Sequence, residues 1–310
     1  MLIVTGSLAY DYIMGFPGSF SSHILPEQIH NINLSFIVDR FAKHRGGTAG
    51  NASYTLGLLQ TPHVLYSYAG KDFDDYKKAF KEIGVKTNHV QIDPEDYTAT
   101  GFAMADKKQN QIWGFYYGAA AKNSTLDLKK VAKKKDYVLI GPQGAEGSLA
   151  LIKQCVELKI PYMFDPGFIL TQVNNKDLLY GLKNAHTVIG NDYEVRLMSE
   201  RIGSFGDIEK KTIVITTLGE KGATIDMKGK RYKIKPVELE KIGATTGAGD
   251  AWRGGYLAGI ARGFDFQTAG QMGAVAASFA VEHLGTQEHT YSKKDFTKRY
   301  KKTYNETLKI

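Results

Sequence analysis

A run of small residues ending in a carboxylate is the feature of this sequence best suited to chemistry. It spans residues 243–250 and leads into an apolar segment of helical length. Backbone N–H groups at Gly247, Ala248 and Gly249 can converge on one point, where the positive end of the helix also stabilises the charge of a migrating phosphate. Asp250 is then placed to deprotonate an attacking hydroxyl group. The alternative is that the glycines only form a tight turn before a core helix.

Polar residues in the first sixth of the chain are suited to holding a hydroxylated substrate. Asp11 lies just beyond the first predicted strand, where its carboxylate can accept hydrogen bonds from two adjacent hydroxyl groups of a ribose. Gly46 and Gly47 allow close approach to the backbone, and Asn51 adds a donor and an acceptor. The alternative is that Asp11 caps a turn and Asn51 caps the start of a helix.

Asn191 and Glu194 follow a predicted strand and are three residues apart. On the first turn of a helix, that spacing lets both side chains face one point. The same spacing fits a capping box, in which Asn191 caps the helix and Glu194 bonds back to it. The sequence alone leaves both interpretations open.

Taken in order, the motifs of this chain resemble those of the PfkB, or ribokinase-like, carbohydrate kinases over nearly the whole length. They are Val4-Thr5-Gly6-Ser7 with Asp11, the segment 46–52, Asn191-Asp192-Tyr193-Glu194, the segment 216–222 and the segment 243–250. Several motifs in the family order favour the catalytic interpretation of the 243–250 run over the simple turn. No GxxxxGK[ST] sequence occurs, so phosphate binding must depend on residues 247–250 rather than on a P-loop.

The resemblance implies a role for each motif. Asp250 would be the base, and Glu194 with Asn191 would organise Mg²⁺ through water and the phosphates of ATP. The residues implied for the acceptor are Ser7, Asp11, Gly46, Gly47 and Asn51, and those implied for ATP are Asn191, Thr217, Gly219 and Gly222. The small residues of 273–280 are suited to an adenine pocket, although close helix packing explains them equally well.

Within the family, the chain is most similar to the bacterial-type adenosine kinases. This likeness is carried by the segments 16–18, 33–36, 44–47, 115–119, 191–194 and 285–288. It adds Ser35 to the expected acceptor site. Phe102 and Phe115, on predicted lid strands, are expected to sandwich a purine ring. A plain hydrophobic contact within the lid is the alternative.

Two departures from the family pattern narrow the expected acceptor. Ala244 stands where the family usually has an acidic residue, which argues against a monovalent-cation site of the sugar-kinase kind. Asp165-Pro166-Gly167 lacks the Asn and Arg that often follow this Asp-Pro in sugar kinases. The second departure argues mildly against a phosphorylated sugar as acceptor.

The elements that must position these residues follow an α/β pattern. Apolar runs of strand length alternate with helical segments, which predicts a mostly parallel sheet covered by helices on both faces. The stretches 13–44 and 98–117 instead alternate polar and apolar residues, which predicts antiparallel strands with one exposed face. We therefore expect a single ribokinase-like domain over 1–310, with a small β lid that the family often shares across a homodimer.

Composition excludes several other classes of protein. The chain of 310 residues is 43% apolar but has no run of the roughly 20 apolar residues that a membrane helix needs. Its only cysteine, Cys155, permits no internal disulfide and is consistent with a cytoplasmic protein. The net charge of +8 comes largely from lysine runs, such as 133–135, that are typical of solvated helix faces, and no nucleic-acid motif accompanies them.

These observations predict a nucleoside kinase that uses ATP and Mg²⁺, with adenosine as the expected acceptor and its 5′-hydroxyl as the site of phosphorylation. A kinase for another nucleoside or for a free sugar of the ribose or fructose type is one alternative. A nucleoside-binding regulator that kept the fold and lost turnover is another, but the intact Asp250, Asn191 and Glu194 argue against it.

Overall fold

The computed structural model describes residues 1–24, 33–108, 110–206, 208 and 210–310. Fourteen strands are present in this part of the chain: β1 Leu2–Thr5, β2 Ala9–Gly15, β3 Arg40–Gly46, β4 His63–Leu65, β5 Tyr68–Gly70, β6 Gln91–Asp93, β7 Ala99–Ala105, β8 Gln111–Tyr116, β9 Tyr137–Ile140, β10 Tyr162–Phe164, β11 Thr187–Asn191, β12 Ile213–Thr217, β13 Ala223–Met227 and β14 Lys230–Ile234. The α-helices over the same residues are α1 Thr48–Leu58, α2 Asp74–Glu82, α3 Ala145–Leu158, α4 Asn175–Asn184, α5 Asp192–Ile202, α6 Ala248–Ala261, α7 Phe266–Val281 and α8 Lys293–Tyr304.

The main sheet has the order β14-β13-β12-β11-β10-β9-β1-β4. Its six strands from β12 to β4 are parallel, and the β13–β14 hairpin adds an antiparallel edge. Successive side chains point to opposite faces, so Ile3 lies in one large hydrophobic cluster and Val4 in the other. Helices cover both faces, and the predicted α/β fold class is confirmed.

The parallel strands determine where polar side chains gather. Their carboxyl ends meet at one edge of the sheet, the usual place for a ligand in this architecture. Asn191 and Thr217 end β11 and β12, and Asp165 follows β10. Ser7 follows β1 at the same edge. The start of α1 lies beside it, because the Ala49 amide donates a hydrogen bond to the Ser7 carbonyl oxygen.

A second sheet, with the order β3-β2-β7-β8, comes from the two stretches predicted to form a lid. The β2–β3 and β7–β8 pairs are antiparallel, as expected, but β2 and β7 run parallel. The reason is that Ala9 pairs with Ala99, so the chain enters both strands from the same end, close to the end of β1. Residues 25–32 of the predicted lid stretch 13–44 lie outside the described residues.

The small residues of α6 and α7 are explained by close packing between the two helices. A Cβ atom on Gly255 would lie 2.6 Å from the Met272 carbonyl oxygen, and one on Gly259 would lie 2.7 Å from the Ala269 Cα. This contact packs the second half of α6 closely against α7. Within the described residues, no helix is both long enough and apolar enough to cross a membrane.

Candidate active site

A cavity of about 1680 Å³ opens at the carboxyl edge of the main sheet. Residues from several parts of the chain line it, including the turn before α6, the ends of β11 and β12, the turn after β10, the segment 235–242 and the helices α7 and α8. Most residues that the sequence predicted for ATP and catalysis lie in this wall, including Asn191, Glu194, Thr217, Gly219, Gly222, Gly247, Ala248, Gly249 and Asp250. The fold therefore brings together segments that are separated by more than fifty residues.

The glycine turn is built as the sequence predicted, with one difference. Gly247 has a φ of +81°, and a Cβ atom there would lie 2.6 Å from Thr286 Cγ2, so only glycine fits. The Ala248 amide donates to the Thr245 carbonyl at 3.2 Å and is already occupied. Within the described chain, the amides of Gly247, Gly249 and Asp250 have no such backbone partner. These three amides, and not that of Ala248, are therefore available to an anion.

Asp250 is half-buried, and its carboxylate is held by Asn51. The Asn51 Nδ2 donates to Asp250 Oδ2 at 2.8 Å. The other end of the amide is also held, because Asn51 Oδ1 accepts from Thr286 Oγ1 at 2.8 Å and from Gln287 Nε2 at 2.9 Å. Burial raises the pKa of Asp250, while nearby Arg253 and the bond from Asn51 oppose that rise.

Three residues expected to contact the acceptor make contacts within the protein. Asn51 is buried, and both its Nδ2 and its Oδ1 form hydrogen bonds with protein groups. Through the Nδ2 bond it positions Asp250. Ser7 is buried too, and its Oγ accepts from the Thr48 amide at 3.2 Å. Gly47 has a φ of +85°, and a Cβ atom there would lie 2.5 Å from the Ser7 carbonyl oxygen. These three residues shape the start of α1, and their predicted contact with the substrate stays a prediction.

Asp11 lies inside β2 rather than in a turn. Two glycines on the neighbouring strands make room for its carboxylate: Cβ atoms on Gly46 and Gly101 would lie 2.6 Å and 2.7 Å from its two oxygens. No described residue donates a hydrogen bond to Asp11. Burial raises its pKa to about 6, with His44 opposing the rise and Asp250 adding to it. The carboxylate is therefore available to a hydroxylated ligand, as the sequence predicted.

The two lid phenylalanines do not form the predicted sandwich. Asp11 pairs with Gly101, which pairs with Phe115, so Phe115 shares the face of Asp11. Phe102 pairs with Tyr12 one residue further on and therefore lies on the opposite face. It stacks there on Tyr12 at 5.4 Å between ring centroids. The sequence missed this because the period of two along a strand gives alternation, but not which set faces the site.

Other aromatic side chains lie on the side of Asp11. Trp113 Cζ3 would lie 3.0 Å from a Cβ atom on Gly101, so the indole covers that glycine. The Phe168 ring is 6.1 Å from Phe115, and Phe168 lines the cavity. All three aromatic residues are nearly half exposed. Phe115 was predicted for the acceptor site, whereas Trp113 and Phe168 were not; Phe168 follows β10 and is far from the lid strands in sequence. Ser35 is exposed, and no described hydrogen bond links it to this group.

On the opposite side of the cavity, Asn191 and Glu194 form the capping box that their spacing permits. Asn191 Oδ1 accepts from the Glu194 amide, and Glu194 Oε2 accepts from the Asn191 amide, both at 2.8 Å. The second oxygen, Glu194 Oε1, makes no hydrogen bond with the described residues. Capping and a role in the cavity are therefore compatible, because the cap uses only one carboxylate oxygen.

The predicted adenine wall is divided between packing and the cavity. A Cβ atom on Gly273 would lie 2.8 Å from the Trp252 ring, so that glycine is explained by contact with α6. Ala274, Ala277 and Ser278 line the cavity. The turn after β12 contributes Gly222, whose φ is +88° and whose Cβ would lie 2.1 Å from the Ile234 carbonyl oxygen. Backbone and small side chains thus leave room for a flat ring.

Two buried charges in the same wall were not singled out by the sequence. Arg253 Nε lies 2.6 Å from Asp165 Oδ2, and both side chains are more than nine-tenths buried. Burial raises the pKa of Asp165 to about 7, and Arg253 opposes that rise. Arg253 could have been found from the sequence, because it lies three residues after Asp250 at the start of a predicted helix and therefore shares its face.

The described residues contain no cluster of three or more His, Cys, Asp or Glu side chains able to hold a metal by themselves. Mg²⁺ commonly uses only one or two carboxylates and takes its remaining ligands from water and substrate phosphates. The free Oε1 of Glu194 at the cavity wall fits that mode of binding.

The sequence was compared with known proteins. Residues 20–293 match the model of the pfkB family of carbohydrate kinases. A nucleoside kinase of Methanocaldococcus jannaschii is 29% identical over 286 residues, which cover 91% of this chain and 90% of that protein. An adenosine kinase of Saccharomyces cerevisiae is 32% identical over 105 residues, about a third of each chain. The solved structures of Burkholderia thailandensis nucleoside kinase include a complex with inosine, which has a TM-score of 0.89, 31% identity and full coverage of both chains. Its ADP-inosine complex has a TM-score of 0.86 and 32% identity, with 100% of this chain and 98% of that chain covered.

Proposed function

This chain belongs to the pfkB family of carbohydrate kinases and is a kinase that phosphorylates a hydroxyl group; we propose that this hydroxyl is the ribose 5′-hydroxyl of a nucleoside, with adenosine as the acceptor. The donor is ATP, and Mg²⁺ accompanies it. The observation that carries the proposal is the Asp250 carboxylate, held by Asn51 at 2.8 Å beside the free amides of the first turn of α6.

The arrangement supports transfer by positioning and electrostatics. Asp250 accepts the proton of the acceptor hydroxyl, and the oxygen forms a bond to the γ-phosphorus of ATP. The bond from that phosphorus to the β,γ-bridging oxygen breaks, and its electron pair leaves with ADP. The Gly249 and Asp250 amides stabilise the charge on the transferred group. Bound through Glu194 and water, Mg²⁺ would neutralise phosphate charge.

The acceptor nucleoside is assigned to the space between Asp250 and the second sheet. Asp11 is a half-buried carboxylate without a described protein donor, which suits it to the ribose hydroxyls. Phe115, Trp113 and Phe168 offer ring faces for the base on the same side. A free sugar would leave these aromatic surfaces uncovered, which favours a nucleoside over ribose or fructose.

Inosine is the second candidate acceptor. The Burkholderia thailandensis enzyme, which is similar over its full length, is known in complex with inosine. Stacking on aromatic rings uses the face of a base and tolerates changes at its edge. The exposed side chains described here therefore do not separate the two purine nucleosides.

The test is a panel of adenosine, inosine, cytidine, ribose and fructose with Mg-ATP, with the 5′-phosphate product identified by mass. We expect kcat/KM to be highest for adenosine. If ribose or fructose exceeds every nucleoside by about tenfold or more, equivalent to about 1.4 kcal/mol, the nucleoside proposal is wrong. If all acceptors bind without turnover, the chain is a binding protein.

A further inference from the structure

Arg253 is a buried cation in the wall of the cavity. Its side chain is 8% exposed, and it lies three residues after Asp250 on α6. Residues with that spacing share one face of a helix. Asp250 and Arg253 both line the cavity, so a base and a fixed positive charge face the same space.

Asp165 is the charge partner of the guanidinium. Its Oδ2 lies 2.6 Å from Arg253 Nε, and its carboxylate is 2% exposed. A buried charge needs a paired partner, and this ion pair keeps the guanidinium beside Asp165. The ion pair uses the inner edge of Arg253 and leaves the two terminal nitrogens for other partners.

The terminal nitrogens lie beside the glycine turn. A Cβ atom on Gly249 would lie 2.6 Å from Arg253 Nη1, so glycine at this position makes room for the guanidinium. Over the described chain, neither Nη1 nor Nη2 donates a hydrogen bond to a protein group. The free Gly249 and Asp250 amides belong to the same turn. Three sets of unsatisfied donors are therefore grouped at the start of α6.

The geometry points to Arg253 as a catalytic residue that donates through Nη1 and Nη2 to the oxygens of the transferred phosphoryl group. In the step described above, the acceptor O–P bond forms while the bond to the β,γ-bridging oxygen breaks, and the moving group carries charge on three equatorial oxygens. A guanidinium held in place by Asp165 stabilises that charge without having to reorganise. This inference rests on the proposed kinase function but not on the identity of the acceptor.

The competing explanation is that Arg253 only neutralises Asp165 and Asp250. The two explanations differ in whether the guanidinium must touch phosphate. Small guanidinium ions can enter a cavity left by Arg253→Ala and restore a contact to phosphate. A free ion does not restore a lost role in helix packing.

The experiment measures kcat and KM for Arg253→Ala, using whichever acceptor of the panel the wild-type protein phosphorylates fastest. We expect kcat to fall at least about 100-fold, the scale for loss of one donor to a transition state, with KM changing less than about threefold. Added guanidinium should recover at least about a tenth of the lost kcat, and the same concentration of urea should not. Arg253→Lys, which keeps the charge and is the variant for use if Arg253→Ala does not fold, should lose at least about tenfold in kcat.

Arg262→Ala is the matched control at the C-terminal end of the same helix. Arg262 donates to Thr61 Oγ1 at 2.7 Å and to the Leu59 carbonyl at 2.6 Å, away from the cavity. The Arg262→Ala substitution should lower the melting temperature and leave kcat within about twofold of wild type. Added guanidinium should not change the kcat of this variant. Wild-type kcat in a folded Arg253 variant, or a loss that guanidinium does not restore, would overturn the inference. Failure of the wild-type protein on nucleosides alone would overturn only the proposed acceptor.

Discussion

Asn51 and Asp250 are 199 residues apart in the chain, yet the Asn51 amide donates to the Asp250 carboxylate at 2.8 Å. The contact joins the first turn of α1 to the first turn of α6. Because Thr286 and Gln287 hold the other end of the same amide, Asn51 cannot rotate freely. The orientation of the proposed base therefore depends on three separate segments.

Asp250→Asn should keep nucleoside binding and lose at least about 100-fold in kcat, because the amide cannot accept a proton from the hydroxyl. Binding is measured by calorimetry and turnover by product formation. Wild-type kcat in the folded variant would remove Asp250 from the mechanism.

Asn51→Ala should shift the acid limb of the kcat–pH profile to higher pH. The bond from Asn51 lowers the pKa of Asp250, so its loss raises that pKa, and the base is ionised only at higher pH. We expect kcat at neutral pH to fall about tenfold, consistent with loss of a hydrogen bond to a charged group. Asn123→Ala is the control, because Asn123 is equally buried but bonds to the Tyr68 amide. An unmoved limb in Asn51→Ala would contradict the assignment.

Asp11→Ala should raise the KM for the acceptor at least about tenfold, because two ribose hydroxyls lose their acceptor, and should leave the KM for ATP nearly unchanged. Lys133→Ala, in a surface lysine run, should behave like wild type. The opposite pattern, with Lys133→Ala damaging and Asp11→Ala silent, would show that the ribose site is misplaced.

Acceptor affinity should also depend on pH through Asp11. Its pKa is raised to about 6, so the carboxylate that accepts from hydroxyls is lost as pH falls through that value. The Kd for nucleoside should rise below about pH 6 and be constant above it, as measured by calorimetry between pH 5 and 8. Asp11→Asn should remove most of this dependence; a variant with the wild-type profile would assign it to another group.

Phe115→Ala should weaken the nucleoside at least about threefold, because an aromatic contact contributes about 0.5–1.5 kcal/mol beyond buried area. Phe102→Ala is the matched control, since Phe102 is equally exposed but lies on the other face of the sheet. Its nucleoside KM should be unchanged. Equal losses in both variants would mean that the sheet faces the ligand differently.

The homodimer through the lid, the cytoplasmic location and the absence of nucleic-acid binding stay predictions, as does the description of 1–310 as one domain with a lid. The paired strands supply the second sheet. Its outer face, with Phe102 stacked on Tyr12, is the surface that a dimer test should alter.

The sequence by itself determined the fold class and the position of the glycine turn before α6. Both follow from local features: strand-length apolar runs require burial between helices, and a glycine with positive φ is suited to the turn that precedes a helix. The capping box of Asn191 and Glu194 was likewise readable from spacing alone, because both partners lie within one turn.

Only the tertiary structure decided which side chains face the ligand. Alternation along a strand does not say which face is covered, so the sequence did not show that Phe102 and Phe115 lie on opposite faces or that Trp113 and Phe168 lie near Asp11. The hydrogen bond from Asn51 to Asp250 was not predictable either, because the partners of Asn51 come from distant segments. The Asp165–Arg253 pair could not be predicted either, since the turn after β10 and the first turns of α6 are 88 residues apart in the chain and meet only in the folded protein.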